Sequence, residues 1–311
     1  MEGLIMRTTG LWYNVRAAED GAMLTCRLRG KFKIILNEKK ITNPIAVGDR
    51  VIWEWEDKKE NVGNITGILP RENYIIRKSV HKKTAHAHIL ASNIDQAILI
   101  ATLAYPRTSL GFIDRILVTA ESFGIPAKII FNKTDLLEEE GKAVLEELKN
   151  TYEPLGYQCL FTSTVTGEGI EAFHALLKGK TSLLTGHSGV GKTTLVNSIA
   201  PNLNLRTNEI SDFAEKGVHT TTFAEMFELE PNTFIIDAPG IKELGLVEIV
   251  GAELSHYFPE MSRRFGQCKY HNCVHVNEPD CAILKAVQTG EIAQSRYLGY
   301  FSMLQGEDNR R

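Results

Sequence analysis

The order of two short motifs constrains this 311-residue chain more than any other feature. "GHSGVGKT", Gly186 to Thr193, fits the pattern G-x-x-x-x-G-K-[ST] in full. In such a loop glycines let successive backbone N–H groups wrap phosphate oxygens, the lysine reaches the β- and γ-phosphates, and the threonine hydroxyl ligates Mg2+. The strand-like "KTSLLTG" precedes it and the helix-like "GKTTLVNSIA" follows, so the positive end of a helix would face the phosphates. About 50 residues earlier, "IIFNKTDLL" ends an apolar strand with Asn132, Lys133, Thr134 and Asp135. A carboxylate at Asp135 would accept hydrogen bonds from N1–H and N2–H2 of guanine. Adenine presents no donor there, and an unpaired buried carboxylate would penalise it. Nucleotide-binding chains normally run from phosphate loop to base reader. This one runs the other way.

Three further segments complete the set. "FTSTVTGEGI" places Ser163 at the end of another buried strand, where a Ser-Ala-like loop meets the guanine oxygen in G proteins, although Thr164 stands in place of Ala. "FIIDAPG" is a D-x-x-G motif, in which Asp237 would hold Mg2+ through water and the Gly240 N–H would sense the γ-phosphate. "EKGVHTTTF" before it resembles a switch I segment; Thr221 is the expected Mg2+-sensing threonine, with Thr220 and Thr222 as neighbours of the same type. The expected nucleotide contacts are thus Asn132, Lys133, Thr134, Asp135, Ser163, the run Gly186, His187, Ser188, Gly189, Val190, Gly191, Lys192, Thr193 and Thr194, then Asp237 and Gly240. Rotating the order of the five segments reproduces the usual G-protein order. A circular permutation leaves the sheet intact and cuts new ends between the D-A-P-G strand and the strand before N-K-T-D. Both nucleotide-sensing segments then lead straight into the C-terminal part of the chain.

Many GTPases place a glutamine after D-x-x-G to orient the attacking water. Ile241 occupies that position and cannot do so. Slow intrinsic hydrolysis, accelerated by a partner, is expected. Lys192, Thr221 and His219 are the expected catalytic residues, with His219 as water positioner, unless it is an ordinary exposed loop histidine.

Around this centre the periodicity changes twice. Residues 1–72 read as short strands, "GLWYNVRA", "AMLTCRLRG", "FKIIL" and "DRVIWEWE", with turn signals between them, which suggests a small closed barrel such as an OB-fold. Residues 73–245 alternate strand and helix, as a parallel sheet with helices on both faces does; "GFIDRILVTAESFG" puts Phe112, Ile113, Ile116, Leu117 and Ala120 on one face. Residues 246–311 read as a small helical unit containing "CKYHNCVHVNEPDC". Cys268, Cys273, His275 and Cys281 supply three thiolates and an imidazole, the donor set of a closed structural zinc site, with His271 as a rival ligand. The spacing C-x4-C-x-H-x5-C is not a common finger spacing, but metal would fold a segment too small for its own core.

Net charge is only −3, so the whole molecule does not attract nucleic acid. Locally the balance differs. Arg7, Arg16, Arg27, Arg29, Lys31, Lys33, Lys39 and Lys40 outnumber the acids of the first 40 residues, and "RKSVHKKTAHAH", Arg77 to His88, holds no acid. These charges are either an RNA-contacting face or a solvated basic one. Trp12, Tyr13 and Phe32 could stack on bases or fill the core. No apolar run is long enough to span a bilayer and the first residues lack an apolar signal core, so a cytoplasmic chain without membrane contact is expected; a monomer is expected as well.

Taken together, "CRLRGKF", "AVGDRV", "ASNIDQ", "FIDRIL", N-K-T-D, "GHSGVGKTTLVN", "HTTT", "DAPGIKELGL" and the Cys/His cluster resemble the ribosome small subunit-dependent GTPase A family (RsgA, or YjeQ) over nearly the whole chain. The resemblance implies an N-terminal OB-fold β-barrel, a circularly permuted P-loop GTPase domain and a C-terminal zinc-binding domain. It also implies binding to the small ribosomal subunit and its rRNA, ribosome-stimulated hydrolysis of GTP to GDP, and a role in late subunit maturation. Two other readings remain open at this point. A P-loop ATPase or small-molecule kinase would bind ATP more tightly than GTP. An RNA-binding assembly module with a structural nucleotide pocket would show no turnover stimulated by subunits.

Overall fold

Alternation decides the N-terminal part. In β2 (Trp12–Ala17) every second residue, Tyr13, Val15 and Ala17, is buried, and the residues between them face outwards. The structure is a computed structural model and describes residues 1–29, 40–41, 43–78, 86–203, 205, 224–237, 251 and 253–306. β1 (Glu2–Thr8), β2, β3 (Met23–Leu28), β5 (Arg50–Asp57) and β6 (Val62–Ile68) pair in the order β1-β2-β3-β6-β5, and β5 returns to β1 through Glu2↔Ile52 and Leu4↔Arg50. Only the β3–β6 pair is parallel among these. The result is a closed five-stranded barrel around Ile5, Val15, Leu24, Val51, Trp53 and Ile65. Sequence patterning anticipated β2, β3 and β5 but not β1 or β6; "FKIIL", Phe32 included, lies outside the described residues.

The second part is built on β9 (Gln96–Ala101), β10 (Ala127–Asn132), β11 (Gln158–Thr162), β12 (Thr181–Thr185) and β14 (Thr233–Asp237), ordered β11-β10-β9-β12-β14 and all parallel. The apolar runs of β9 and β10 are buried on both faces. Leu99, Ala101, Ile129 and Phe131 meet α1 (Leu110–Ser122) and α2 (Glu139–Tyr152). Ile98, Ile100 and Ile130 face the other way, onto α3 (Ile170–Leu177) and α4 (Lys192–Ile199). β12, late in the chain, lies inside the sheet between β9 and β14, so strands from before and after it flank it. That is the arrangement a rotated chain order demands.

β13 (Glu225–Glu230) adds an antiparallel strand beyond β14 and carries the sheet on into the barrel, through Arg7↔Glu225 on β1. Arg16 reinforces the join with a two-pronged contact to Glu228 at 2.8 and 2.9 Å. The strand that follows the threonine segment therefore meets the barrel, which chain order alone did not indicate. A second join runs through the hairpin of β7 (Tyr74–Lys78) and β8 (His86–Ser92), with β4 (Lys40–Ile41) paired to β8. Asp49, fully buried, accepts two hydrogen bonds from Arg71 at 2.6 Å and one from the Ser92 hydroxyl at 2.6 Å. Gly48 passes so close to Ser92 that a Cβ would lie 2.1 Å from its carbonyl oxygen.

The last part packs α5 (Pro259–Ser262), α6 (Ala282–Gln288) and α7 (Gln294–Leu304) against α1 around Phe258, Met261, Ile283 and Tyr300. Val118 of α1 belongs to this core, while Phe112 and Ile113 belong to that of the parallel sheet. α1 is thus buried from two sides. At the contact Arg296 of α7 lies between Glu260, at 2.8 Å, and Asp114 of α1, and stacks over Phe258 with 4.7 Å to the ring centroid. Burial pushes the Asp114 carboxyl above its ordinary range, against the pull of Arg296 and of the Tyr152 hydroxyl. Among the described residues no helix is long and apolar enough to cross a membrane.

Gly48→Ala should lower stability by about 2 kcal/mol or more, because the new methyl meets Ser92 and the backbone sits at φ 88°. A shift of the urea unfolding midpoint checks this; an unchanged midpoint would show that the junction yields freely.

Candidate nucleotide site and metal centre

All five parallel strands end at one edge, and every described residue of the expected nucleotide site sits on that edge or in the turns leaving it. From β12 the chain turns at Gly186, whose φ of 146° brings it against β9, where a Cβ would lie 2.3 Å from the Ile100 carbonyl oxygen. Ser188 and Gly189 are exposed, Val190 is buried, and Gly191 caps α4 in the left-handed region at φ 93°. Lys192 is 6% exposed and donates to the carbonyls of Gly186 at 3.0 Å and His187 at 2.8 Å. Its ammonium is thereby fixed inside the loop. Thr193, the second residue of α4, is buried, and Thr194 faces outwards.

Asn132 joins this loop to the guanine-reading segment. Its amide donates to the Val190 carbonyl at 2.9 Å and its oxygen accepts from the Thr162 hydroxyl at 3.0 Å. Lys133 then takes the left-handed conformation, φ 62°, and donates to the Tyr105 carbonyl at 2.8 Å. Thr134 donates to Glu168 at 2.5 Å. Asp135 remains exposed and accepts from the Ser163 hydroxyl at 2.5 Å, while that same oxygen accepts from the backbone N–H groups of Val165 and Thr166 at 3.1 and 3.2 Å. Three loops distant in sequence are therefore tied into one surface. Ser163 acts here on Asp135 rather than standing alone, and Thr162 and Glu168 were not anticipated. A polar residue at the end of a buried strand was the available signal for Thr162.

Asp237 ends β14 beside β12, in register with Leu184. Asp237 thus approaches the phosphate loop from the strand beside β12, while Thr193 lies in the first turn of α4. His219, Thr220, Thr221, Thr222, Gly240 and Ile241 lie outside the described residues.

On the barrel, Tyr13 is core and Trp12 is 41% exposed beside Leu11, which is 81% exposed. Arg7, Arg16, Arg27 and Arg29 pair with Glu225, Glu228, Glu56 and Glu54, so these four cations are matched by acids.

In the C-terminal part the donor atoms of Cys268, Cys273, His275 and Cys281 all lie within 4.8 Å of one another. Cys281 Sγ is 3.4 Å and Cys268 Sγ 3.7 Å from His275 Nδ1, and the two sulfurs are 3.9 Å apart. A tetrahedral zinc site with ordinary bond lengths needs S···N and S···S separations of about 3.6 and 3.8 Å, which the separations among Cys268, His275 and Cys281 match closely. His271 is not part of it. Burial pushes the Cys273 thiol up to about 12 and the His275 imidazole below its usual range. A divalent cation would reverse the first and suits the second, because the neutral ring is the ligand. Glu278 shapes the turn by accepting from the N–H groups of Val274 at 2.8 Å and Val276 at 2.9 Å, and Tyr297 and Tyr300 donate to the carbonyls of His275 and Val274.

The chain as a whole is similar to known proteins. The family model for the RsgA GTPase matches residues 68–247, and that for the RsgA N-terminal domain matches residues 2–64. The chain is 51% identical over 314 residues to the small ribosomal subunit biogenesis GTPase RsgA of Cytophaga hutchinsonii, covering 100% of both chains. It is 45% identical over 308 residues to the protein of that name from Bacteroides fragilis, covering 99% of this chain and 97% of the relative. Among solved structures, YjeQ from Thermotoga maritima superposes with a TM-score of 0.78 at 36% identity, covering 100% of this chain and 99% of that one. YloQ, described as a circularly permuted GTPase, gives 0.75 at 26% identity, covering 100% and 96%. With its barrel, its rotated nucleotide domain and its Cys/His unit, the chain belongs to the RsgA GTPase family.

Proposed function

We propose that this RsgA-family GTPase binds the small ribosomal subunit, hydrolyses GTP to GDP and phosphate in response, and acts in late maturation of that subunit. The observation that carries the reading is the Asn132 bridge, which holds the guanine-reading and phosphate-binding loops at one fixed spacing. The working division is residues 1–72 for RNA contact, 73–245 for the nucleotide and 246–311 for zinc. The chain acts as a cytoplasmic monomer on rRNA and not on a membrane.

Asp135, aimed by Ser163, accepts the two guanine donors; an ATPase or kinase gains nothing from a carboxylate there. Lys133 covers the ring. Backbone N–H groups from Gly186 to Thr194 and the Lys192 ammonium hold the phosphates and take up charge as the bond between the γ-phosphorus and the bridging oxygen breaks. Thr193, Thr221 and, through water, Asp237 would hold the Mg2+ that neutralises the phosphate oxygens. The Gly240 N–H reports the γ-phosphate. Ile241 cannot orient the water, so His219 does this once the subunit places it. Cys268, Cys273, His275 and Cys281 would hold one structural Zn2+ with no open position, so the ion supplies folding energy and not chemistry.

GTP turnover titrated with purified small subunits tests the whole reading. Subunits should raise kcat by at least about tenfold; an unchanged rate removes the partner-triggered mechanism. Asp135→Asn should weaken GTP by about two orders of magnitude and favour xanthosine triphosphate, whose donor pattern matches the amide. Competition binding decides, and unaltered GTP affinity would refute the base reader. Cys273→Ala should lose zinc by elemental analysis and lose protection of residues 253–306 in hydrogen exchange. Full metal stoichiometry would refute the ligand set.

A further inference from the structure

Phe112 lies in the first turn of α1, and its ring stacks on His187, the second residue of the phosphate loop, with centroids 3.9 Å apart and planes 29° apart. His187 supplies one of the two carbonyls that fix the Lys192 ammonium. The segment before α1 touches the nucleotide loops twice more. Lys133 donates to the Tyr105 carbonyl, and a Cβ on Gly189 would lie 3.4 Å from Pro106. That segment is itself closed by Thr102 and Thr108, whose backbone and side chains bond across it, and Ser109 caps α1 by accepting from the Phe112 N–H. Two residues further on, about 200° around the helix, Asp114 is held by Arg296 of α7. Gly299 makes that approach possible, because a Cβ there would lie 2.2 Å from Asp114 Oδ2. One face of the first turns of α1 thus bears on the phosphate loop and the other on the Cys/His unit.

We propose that Phe112 is a positioning residue for the GTPase reaction: through His187 it sets the phosphate loop around Lys192, and α1 transmits to it the grip of the C-terminal unit. The inference rests on the nucleotide site proposed above and adds a route by which the metal-bearing unit governs how tightly nucleotide is held. A stacked aromatic pair contributes about 0.5–1.5 kcal/mol beyond its buried area, enough to change affinity by up to about tenfold.

The experiment follows GDP release and subunit-stimulated GTP turnover in the full chain carrying Phe112→Leu, His187→Phe, Gly299→Ala, or Phe112→Leu with Gly299→Ala. Phe112→Leu should speed GDP release about five- to tenfold and raise KM for GTP more than it alters kcat. His187→Phe, which keeps a stacked ring, should release GDP more slowly than Phe112→Leu does. Gly299→Ala should speed release as well, and the double variant should fall short of the product of the single effects. If Gly299→Ala does not fold, Arg296→Lys, which loses the planar fork, takes its place. Parent-like GDP release by Phe112→Leu, release from His187→Phe as fast as from Phe112→Leu, or multiplicative effects in the double variant would overturn the proposal. Failure of the parent chain to bind GDP would instead overturn the nucleotide reading itself.

Discussion

One side-chain amide, that of Asn132, holds the proposed nucleotide site together. Its nitrogen donates to the phosphate loop and its oxygen accepts from the end of β11, so the turns after three parallel strands are fixed relative to one another. Gly191 is the complement of that bridge. A Cβ there would lie 2.5 Å from the Asn132 nitrogen, so only glycine lets the two loops close. The bridge is defined in space and is indifferent to which loop comes first in the chain. A rotated order therefore leaves the site unaltered, provided the sheet keeps its strand neighbours, and it does.

The other parts are attached by buried charge, not by area alone. Asp49 with Arg71 closes the barrel against the hairpin, and Asp114 with Arg296 closes α1 against α7. Removing one member of such a pair strands the other and costs about 3–5 kcal/mol, whereas a wholly apolar contact would tolerate sliding. Paired charges in fixed geometry suit parts that must keep one register. The barrel is further joined to the nucleotide domain by backbone pairing through β13.

The nucleotide motifs stand out in the sequence because each is local. Phosphate loop, base reader and D-x-x-G are each a few consecutive residues whose types follow from backbone approach or hydrogen-bond pattern. The helix face of α1 was legible too, from Phe112, Ile113, Ile116 and Leu117 at helical spacing. β1 and β6 were not, because each carries glycine where the barrel interior is tight. A Cβ on Gly3 would lie 2.5 Å from Val15 and one on Gly63 2.9 Å from the Cys26 sulfur. Glycine there answers a neighbour on another strand, yet in sequence it reads as a loop. β13 was hidden for a different reason: its acidic residues gain their partners, Arg7 and Arg16, from the barrel. The stack of Phe112 on His187 and the pairing of Asp114 with Arg296 join residues with no local pattern between them.

The Asp114–Arg296 contact spans 182 residues. A ribosome adds about 5–20 residues per second, so α1 emerges many seconds before the cation that neutralises its buried carboxylate. Until then Asp114 must stay in water or hold a proton, and α1 cannot settle on both of its faces. The base-reading segment is likewise finished before the phosphate loop that it will grip has been translated. α1 therefore settles only once α7 has been made, and a chain truncated before α7 would leave a buried carboxylate without its counter-ion.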